Sequence, residues 1–243
     1  ALIFSFFSAI AIDVRVLGIL LPVIIVLFYI LNILGNTSNK KNHIHSLILF
    51  IFLLPLFIIL FFPYLWSSPL ENFIKVFADL SHHKVDVYNY YLGNYVYANN
   101  NPWHYPLIWI LVTTPILFLI PFFLGFSYMT IRIVKRISRI EKNELNDDLW
   151  RSKNEMIDLV FFSTLIVPLI SVIMFGSTLY DGWRHLFFVY PSLLMISIYG
   201  LNLIKITFFK KKIIYFFIIL FIMSLPHILW MYKNHPNQNV YFN

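Results

Sequence analysis

Long apolar runs constrain this chain more than any other feature of its sequence. A helix needs about 20 apolar residues to cross the ~30 Å of hydrocarbon in a bilayer. Such runs occupy residues 17–34, 47–66, 106–124, 159–180, 186–204 and 213–231, and residues 1–12 look like the end of a further one. The sequence therefore predicts an all-α, polytopic bundle of about six to seven transmembrane helices, which forms a single transmembrane domain over residues 1–243.

The composition excludes a soluble domain and several kinds of site. Of the 243 residues, 60% are apolar and 12% are charged, whereas globular proteins carry about 25% charged residues. The absence of cysteine excludes disulfides, thiolate catalysis and cysteine-based metal sites. Because the chain begins at Ala1 inside an apolar run, without a basic segment or a cleavage site, we expect it to be a fragment of a longer protein.

The basic residues predict the orientation of the spans. Alternate connections hold 13 of the 18 lysines and arginines on one side, and the side richer in these residues is the cytoplasmic one. The net charge of +7 is therefore a topology signal and a contact with anionic membrane lipids. The sequence shows no soluble domain with a basic surface of the kind that binds nucleic acid, so we predict no nucleic-acid partner.

Two connections are long enough to carry structure of their own. The predicted cytoplasmic loop, residues 125–157, mixes seven basic with five acidic residues, which is typical of a solvated helical hairpin or linker. The predicted outer loop, residues 67–104, begins with Ser68, Pro69 and Glu71 in the pattern of a capping box. Apolar residues then recur at helical spacing, which predicts a short amphipathic helix in the outer interface.

Most of the side chains that could take part in binding or catalysis lie on the predicted outer face. They are Asp13, Arg15, His82, His83, Asp86, Trp103, His104, Tyr105, Asp181, Arg184, His185, His235, Gln238 and Tyr241. Ionisable groups next to hydrocarbon are costly and tend to be functional. This asymmetry predicts an active face on the extracytoplasmic side.

The segment YDGWRHLFFVYP, residues 180–191, is the most informative part of that face. Five residues separate two spans, so Asp181, Arg184 and His185 must lie near the headgroups. Arg184 can bind a phosphate bidentately, Asp181 can orient it or a sugar hydroxyl, and His185 can donate to a phosphate oxygen or a leaving group. The alternative is that Asp181 caps the next helix while Arg184 extends to lipid phosphates.

The segment NNNPWHYPLIWILVTTP, residues 99–115, offers two interpretations. Trp103, His104 and Tyr105 can anchor the chain in an aromatic belt, or they can stack on a sugar ring and bind its hydroxyls. The adjacent His82 and His83 would diverge on a helix and make a poor metal pair, so we predict no metal site.

Two further groups have structural interpretations. Asp13 and Arg15 are close enough to form a structural pair, although Arg15 is also a candidate phosphate ligand on the predicted outer face. His227 follows Pro226 directly, so we expect its ring to bond a freed carbonyl within the bundle.

Several of these segments together resemble a known family. DGWRHLFFVYP, NPWHYPLIWILVTTP with YNYYLGNYVY upstream, the early AIDVRVLG and the terminal HPNQNVYFN resemble bacterial members of the dolichyl-phosphate-mannose protein mannosyltransferase-like group. That group comprises glycosyltransferase family 39 and its relatives, which share the GT-C membrane fold. The resemblance runs in order across nearly all of the chain, although each motif is degenerate.

The resemblance implies an inverting glycosyltransferase of the bacterial inner membrane, multi-pass, with a periplasmic active face. It would move a sugar from a polyprenyl-phosphate donor to a lipid, glycan or protein acceptor. Asp181, Arg184 and His185 would bind the carrier phosphate, and Trp103, His104 and Tyr105 would line the donor or acceptor pocket. His235, Gln238 and Tyr241 would close that pocket. The general base of the family, an acidic residue near the N-terminus, would lie upstream, so that role is not transferred to Asp13.

Other classes of membrane protein remain open at this level. They are an envelope-polysaccharide polymerase, ligase or flippase, and a multi-span transporter or non-enzymatic membrane subunit. The chain shows no internal repeat of the kind that transporters carry and no glycine-rich phosphate loop. The sequence predicts no cofactor and leaves the participation of a divalent metal open.

Overall fold

The chain is predominantly α-helical. A computed structural model describes residues 1–14, 16–35, 40–81, 86–138, 153–210, 212–236 and 241–242. Their main elements are α1 (Leu2–Val14), α2 (Leu20–Gly35), α3 (Lys40–Phe61), α4 (Pro69–Ser81), β1 (Tyr88–Tyr91), β2 (Asn94–Tyr97), α5 (Tyr105–Thr113), α6 (Ile116–Ile137), α7 (Lys153–Met174), α8 (Tyr190–Phe208) and α9 (Ile213–Lys233). Short 3₁₀ helices cover Val16–Ile19, Pro63–Leu65, Ala98–Asn100 and Arg184–Val189.

The helices agree with a multi-pass membrane protein. Among the described residues, five helices are long and apolar enough to cross a membrane: Lys40–Phe61, Ile116–Arg136, Glu155–Met174, Arg184–Phe208 and Ile213–Lys233. The apolar runs at residues 1–12 and 17–34 form the shorter helices α1 and α2. The number of spans that the whole chain makes, six to seven by sequence, stays a prediction.

One predicted span is divided. The apolar run at residues 106–124 contains the short helix α5, a break at Thr114 and Pro115, and the first part of α6. Thr114 is extended, with φ −93° and ψ 125°, as expected for a residue that precedes proline. Helix α6 then continues to Ile137, well into the predicted cytoplasmic loop, and α7 begins at Lys153.

The chain divides into two compact units. One comprises Ala1–Val85 with Arg136–Met156, and the other comprises Asp86–Lys135 with Ile157–Asn243. In the first unit α1 packs on α3 through a core of Ala9, Ile12, Ile58 and Leu65. The chain folds back tightly after α1, since a side chain on Gly18, in the following 3₁₀ helix, would overlap the backbone of Ala11.

Helix α4 confirms the helix predicted after Ser68. Within it Asn72 is buried and donates to the carbonyl of Tyr64 at 2.7 Å. Leu70 and Ile74 are exposed, as a helix with one apolar face outside the protein requires. Its place at a membrane interface stays a prediction.

Within the second unit α6 and α8 approach each other closely at two glycines. A side chain on Gly125 would overlap the carbonyl of Ile196, and one on Gly200 would overlap that of Pro121. Two backbones can approach this closely only where both helices carry glycine, the same device that brings membrane helices together.

Polar contacts tie α7 to its neighbours in the same unit. The hydroxyls of Thr164 on α7 and Ser192 on α8 lie 2.7 Å apart. At the α6–α7 end, Arg132 pairs with Asp158 at 3.1 Å. An ion pair thus joins the two helix ends at the predicted cytoplasmic loop. Residues 139–152 of that loop lie outside the described part of the chain.

A β-hairpin interrupts the all-α prediction. Strands β1 and β2 pair antiparallel, with Tyr88 opposite Tyr97 and Tyr91 opposite Asn94. Leu92 and Gly93 form the two-residue turn, with φ of 49° and 84°, which is the left-handed geometry that favours tight hairpins. The alternation of tyrosine with asparagine and valine is the local signal for these strands.

Candidate functional site

A cavity of about 690 Å³ lies inside the second unit. Three segments that are far apart in sequence line it: residues 88–115, residues 181–190 and residues 227–242. Its lining residues are Tyr88, Asn89, Tyr90, Tyr105, Trp109, Thr113, Pro115, Asp181, Gly182, Trp183, Phe187, Tyr190, His227, Trp230, Met231, Tyr241 and Phe242. Aromatic rings dominate this wall, and Asp181 supplies a carboxylate.

The turn between α7 and α8 carries the charged groups. Nη1 of Arg184 lies 2.9 Å from Oδ2 of Asp181, and the guanidinium carbon lies 4.6 Å from the centre of the Tyr180 ring. The ring of His185 packs edge-on against Tyr180, with 4.6 Å between ring centres. Arg184 and Asp181 keep 43% and 63% of their side chains exposed, so both can meet a ligand.

This geometry disfavours the helix-capping interpretation of Asp181. The residue before the Arg184–Val189 helix is Trp183, whose side chain makes no capping bond. The carboxylate of Asp181 instead pairs with Arg184. The pair holds the guanidinium in one orientation, because a planar guanidinium and a carboxylate recognise each other directionally.

Tyr105 fixes the backbone of the turn. Its ring is fully buried, and its hydroxyl accepts a hydrogen bond from the N–H of Gly182 at 3.2 Å. Gly182 has φ +71° and lies beside the Trp109 ring. Asp181, with φ 54°, also adopts the left-handed conformation, so two consecutive residues turn the chain sharply between the spans.

A network of asparagines attaches the turn to the hairpin segment. The side-chain amides of Asn89 and Asn101 both donate to the carbonyl of Leu179, at 2.8 Å and 2.6 Å. Asn89 also donates to Oδ1 of Asn101 at 3.0 Å, and Thr178 donates to Oδ1 of Asn99 at 2.9 Å. Asn89 is 6% exposed, and buried amides paired in this way resist displacement.

Two more hydrogen bonds lie in the aromatic wall or next to it. The hydroxyl of Tyr91 lies 2.6 Å from Nδ1 of His104, and the indole N–H of Trp183 donates to Oγ1 of Thr113 at 2.8 Å. Burial raises the pKa of Tyr91 above its ordinary value, so its phenol stays protonated at neutral pH.

Tyr241 and Phe242 line one side of the cavity together with α9. The ring of Tyr241 lies 5.0 Å from that of Trp230 and 5.7 Å from that of His227. Phe242 packs against Trp109, with 5.7 Å between ring centres. Nδ1 of His227 lies 3.3 Å from the carbonyl of Met223 in its own helix. The carbonyl that Pro226 leaves without a donor is that of Ile222, so the predicted bond to a freed carbonyl is not the contact observed. His227 also lines the cavity.

The structure brings some of the predicted site residues together and leaves others apart. Asp181, Tyr105 and Tyr241 line the cavity, and Arg184 and His185 contact Asp181 and Tyr180 beside it.

The remaining candidates among the described residues do not line the cavity. His104 contacts Tyr91, Trp103 is 65% exposed, and neither of these candidates nor His235 belongs to the lining. Arg15, Gln238, His82 and His83 lie outside the described residues.

Much of the aromatic wall is not predictable from the sequence. Trp109 and Trp230 lie inside apolar runs, where a tryptophan is ordinary, and only the rotation of each helix directs them to the cavity. The available signal was the density of Trp and Tyr near the ends of the spans. Within the described residues no group of three His, Asp or Glu side chains could hold a metal ion.

Comparison with known proteins yields no relative of this chain: no protein-family model, no curated protein and no solved structure matches it.

Proposed function

We propose that this chain forms the substrate site of an integral membrane glycosyltransferase, which transfers a sugar from a polyprenyl-phosphate carrier to an acceptor. The observation that carries the proposal is an aromatic cavity beside the Asp181–Arg184 pair, at the ends of apolar helices. Aromatic rings suit the apolar faces of a sugar, and a guanidinium suits a phosphate. A lipid-linked sugar phosphate combines these chemistries with a tail that belongs in the bilayer.

The charged turn would act on the leaving group. In the transfer, the bond between C1 of the sugar and the phosphate oxygen breaks, and that oxygen keeps the electron pair. Arg184 would stabilise the charge that develops on the phosphate, and His185 would donate a hydrogen bond to it. Asp181 would act as a positioning residue that orients Arg184, since the two already pair at 2.9 Å.

The new bond forms between C1 of the sugar and an oxygen of the acceptor. Its hydroxyl oxygen attacks C1 and passes its proton to a general base, and free polyprenyl phosphate leaves. We assign no residue of this chain to the role of that base. Because lysines and arginines concentrate in the opposite connections, we assign the cavity to the extracytoplasmic face.

Transfer by the complete gene product in liposomes tests the proposal. The liposomes contain polyprenyl-phosphate sugars labelled in the sugar, and release of free polyprenyl phosphate is followed together with loss of the donor. We expect Arg184→Ala to reduce turnover about 100-fold, and Arg184→Lys to restore only part of it because lysine binds as a point charge. Lys233→Ala removes an exposed cation at the end of α9 and is the matched control.

Two outcomes would contradict the proposal. If wild-type protein consumes no donor, or if Arg184→Ala is as active as Lys233→Ala, the turn is only a connection between helices. Labelled sugar that crosses the bilayer while still attached to its carrier would identify a flippase or transporter instead.

A further inference from the structure

The outward face of the β-hairpin carries only tyrosines in its paired positions. Tyr88 lies opposite Tyr97, and Tyr90 lies opposite Tyr95. The ring centres are 5.4 Å apart in the first pair and 5.3 Å apart in the second. Tyr88, Tyr90 and Tyr95 keep 64%, 63% and 77% of their surface exposed. We call these four residues the tyrosine face.

The opposite side of the same hairpin is anchored. Asn89 and Tyr91 alternate with the tyrosine face and are each only 6% exposed. Asn89 bonds the carbonyl of Leu179, and Tyr91 bonds His104. These bonds hold the strand that carries the exposed rings in place. Binding of a ligand to the rings therefore costs little conformational entropy.

The tyrosine face is continuous with the cavity. Tyr88 and Tyr90 belong to the cavity wall as well as to the exposed face. The two pairs are separated by about 7 Å along the strands, which makes the face longer than a single sugar ring. Because each pair contributes one ring to the cavity wall, a chain of sugar rings lying on this face would run beside the cavity.

The chemistry of the surrounding segment selects the class of ligand. Residues 86–105 contain six tyrosines and five asparagines but no lysine or arginine. Membrane anchors commonly combine aromatic residues with cations that attract anionic headgroups, and this segment offers none. Tyrosine rings stack on the apolar faces of sugars, and phenol and amide groups bond their hydroxyls. Asn94 and Asn100 are exposed on the same hairpin and its following turn.

We propose that the tyrosine face is a binding site for a neutral oligosaccharide, which it guides to the cavity as the acceptor of transfer. The binding site stands on the hairpin geometry alone, whereas its role as acceptor site rests on the function proposed above.

Binding is measured on the complete gene product in nanodiscs of zwitterionic lipid. Linear glucose, mannose and galactose oligomers of increasing length serve as probes, and saturation-transfer NMR reports which sugar protons contact the protein. We expect affinity to rise with length up to a short oligomer. The double variant Tyr90→Thr/Tyr95→Thr, which keeps residues suited to strands, should weaken binding about tenfold or more.

Matched variants separate the rings from the fold. Tyr90→Phe/Tyr95→Phe keeps the rings and should retain most of the affinity, and Tyr232→Thr removes a tyrosine that is 84% exposed on α9 and should change nothing. The proposal fails if no neutral oligomer binds wild-type protein, or if the threonine variant binds as tightly as wild type. It also fails if the threonine variant instead loses quenching of its fluorescence by brominated lipids, which would identify a membrane anchor.

The donor assay distinguishes this failure from failure of the proposed function. Donor consumption without oligosaccharide binding would overturn the acceptor site and leave the transferase standing. Oligosaccharide binding that depends on the tyrosine face, without donor consumption, would support the binding site and overturn the transferase.

Discussion

The hydroxyl of Tyr105 accepts a hydrogen bond from the backbone N–H of Gly182, 77 residues further along the chain. This bond joins the start of α5 to the turn that carries Asp181 and Arg184. The orientation of the charged pair thus depends on a buried ring in another segment.

Replacement of Tyr105 by phenylalanine should test that dependence. The variant leaves the buried N–H of Gly182 without its partner, which costs about 1–3 kcal/mol, and we expect the free energy of unfolding in mixed micelles to fall by that amount. Tyr232→Phe changes a tyrosine that is 84% exposed and should stay within about 0.5 kcal/mol of wild type. Equal stability of the two variants would show that the Tyr105 bond contributes nothing.

Replacement of Gly200 by alanine should separate α6 from α8. The added methyl group would overlap the carbonyl of Pro121, and overpacking of this kind costs about 1–3 kcal/mol. We expect a lower unfolding midpoint for Gly200→Ala and for Gly125→Ala, with the double variant costing less than the sum because the two sites share one contact. Ser127→Ala, at an exposed position of α6, is the control; an equal midpoint for Gly200→Ala would contradict the close crossing.

Replacement of Leu92 by asparagine should stabilise the hairpin. Leu92 has φ 49° and is 68% exposed, so leucine occupies a left-handed position that asparagine adopts more easily. We expect Leu92→Asn to gain about 0.5–1 kcal/mol and to slow hydrogen exchange of the strand amides. Gly93→Ala, with φ 84° at the native glycine, should have the opposite effect. Faster exchange in Leu92→Asn would show that the leucine side chain stabilises the turn through contacts of its own.

Tyr91 should make the protein less stable at alkaline pH. Because burial raises the pKa of Tyr91, the native protein holds this proton more tightly than the unfolded chain. The stabilising contribution is complete below the ordinary tyrosine pKa of about 10 and is lost as pH rises through the native value. We expect unfolding free energy to fall less steeply with pH in Tyr91→Phe than in wild type. Identical slopes would assign the alkaline loss to other groups.

Sequence alone predicts most of the helices because length and apolarity are local properties. It does not predict the division at Pro115, since Pro55, Pro121 and Pro168 remain inside helices. The break at Thr114 is accompanied by a tertiary contact, the bond from Trp183 to Thr113. Such a contact cannot be inferred from apolar runs.

The charged residues of the site are predictable from the sequence, whereas most of its aromatic residues are not. Asp181 and Arg184 stand out because polar residues are rare between spans, and the structure pairs them. Trp109 and Trp230 belong to apolar helices, and their direction depends on how each helix is rotated. The hairpin is not predicted because the apolar runs on either side of it favour the 3.6-residue periodicity of helices.

The walls of the cavity differ in how firmly they are packed into the second unit. Tyr105 and Trp183, on one wall, are 0% and 5% exposed and belong to the buried core of that unit. The wall formed by His227, Trp230 and Met231 belongs instead to α9, of which only 6% is buried. The tail of the lipid-linked donor proposed above would therefore enter past α9, where little packing has to be broken, while the wall that belongs to the core keeps its shape.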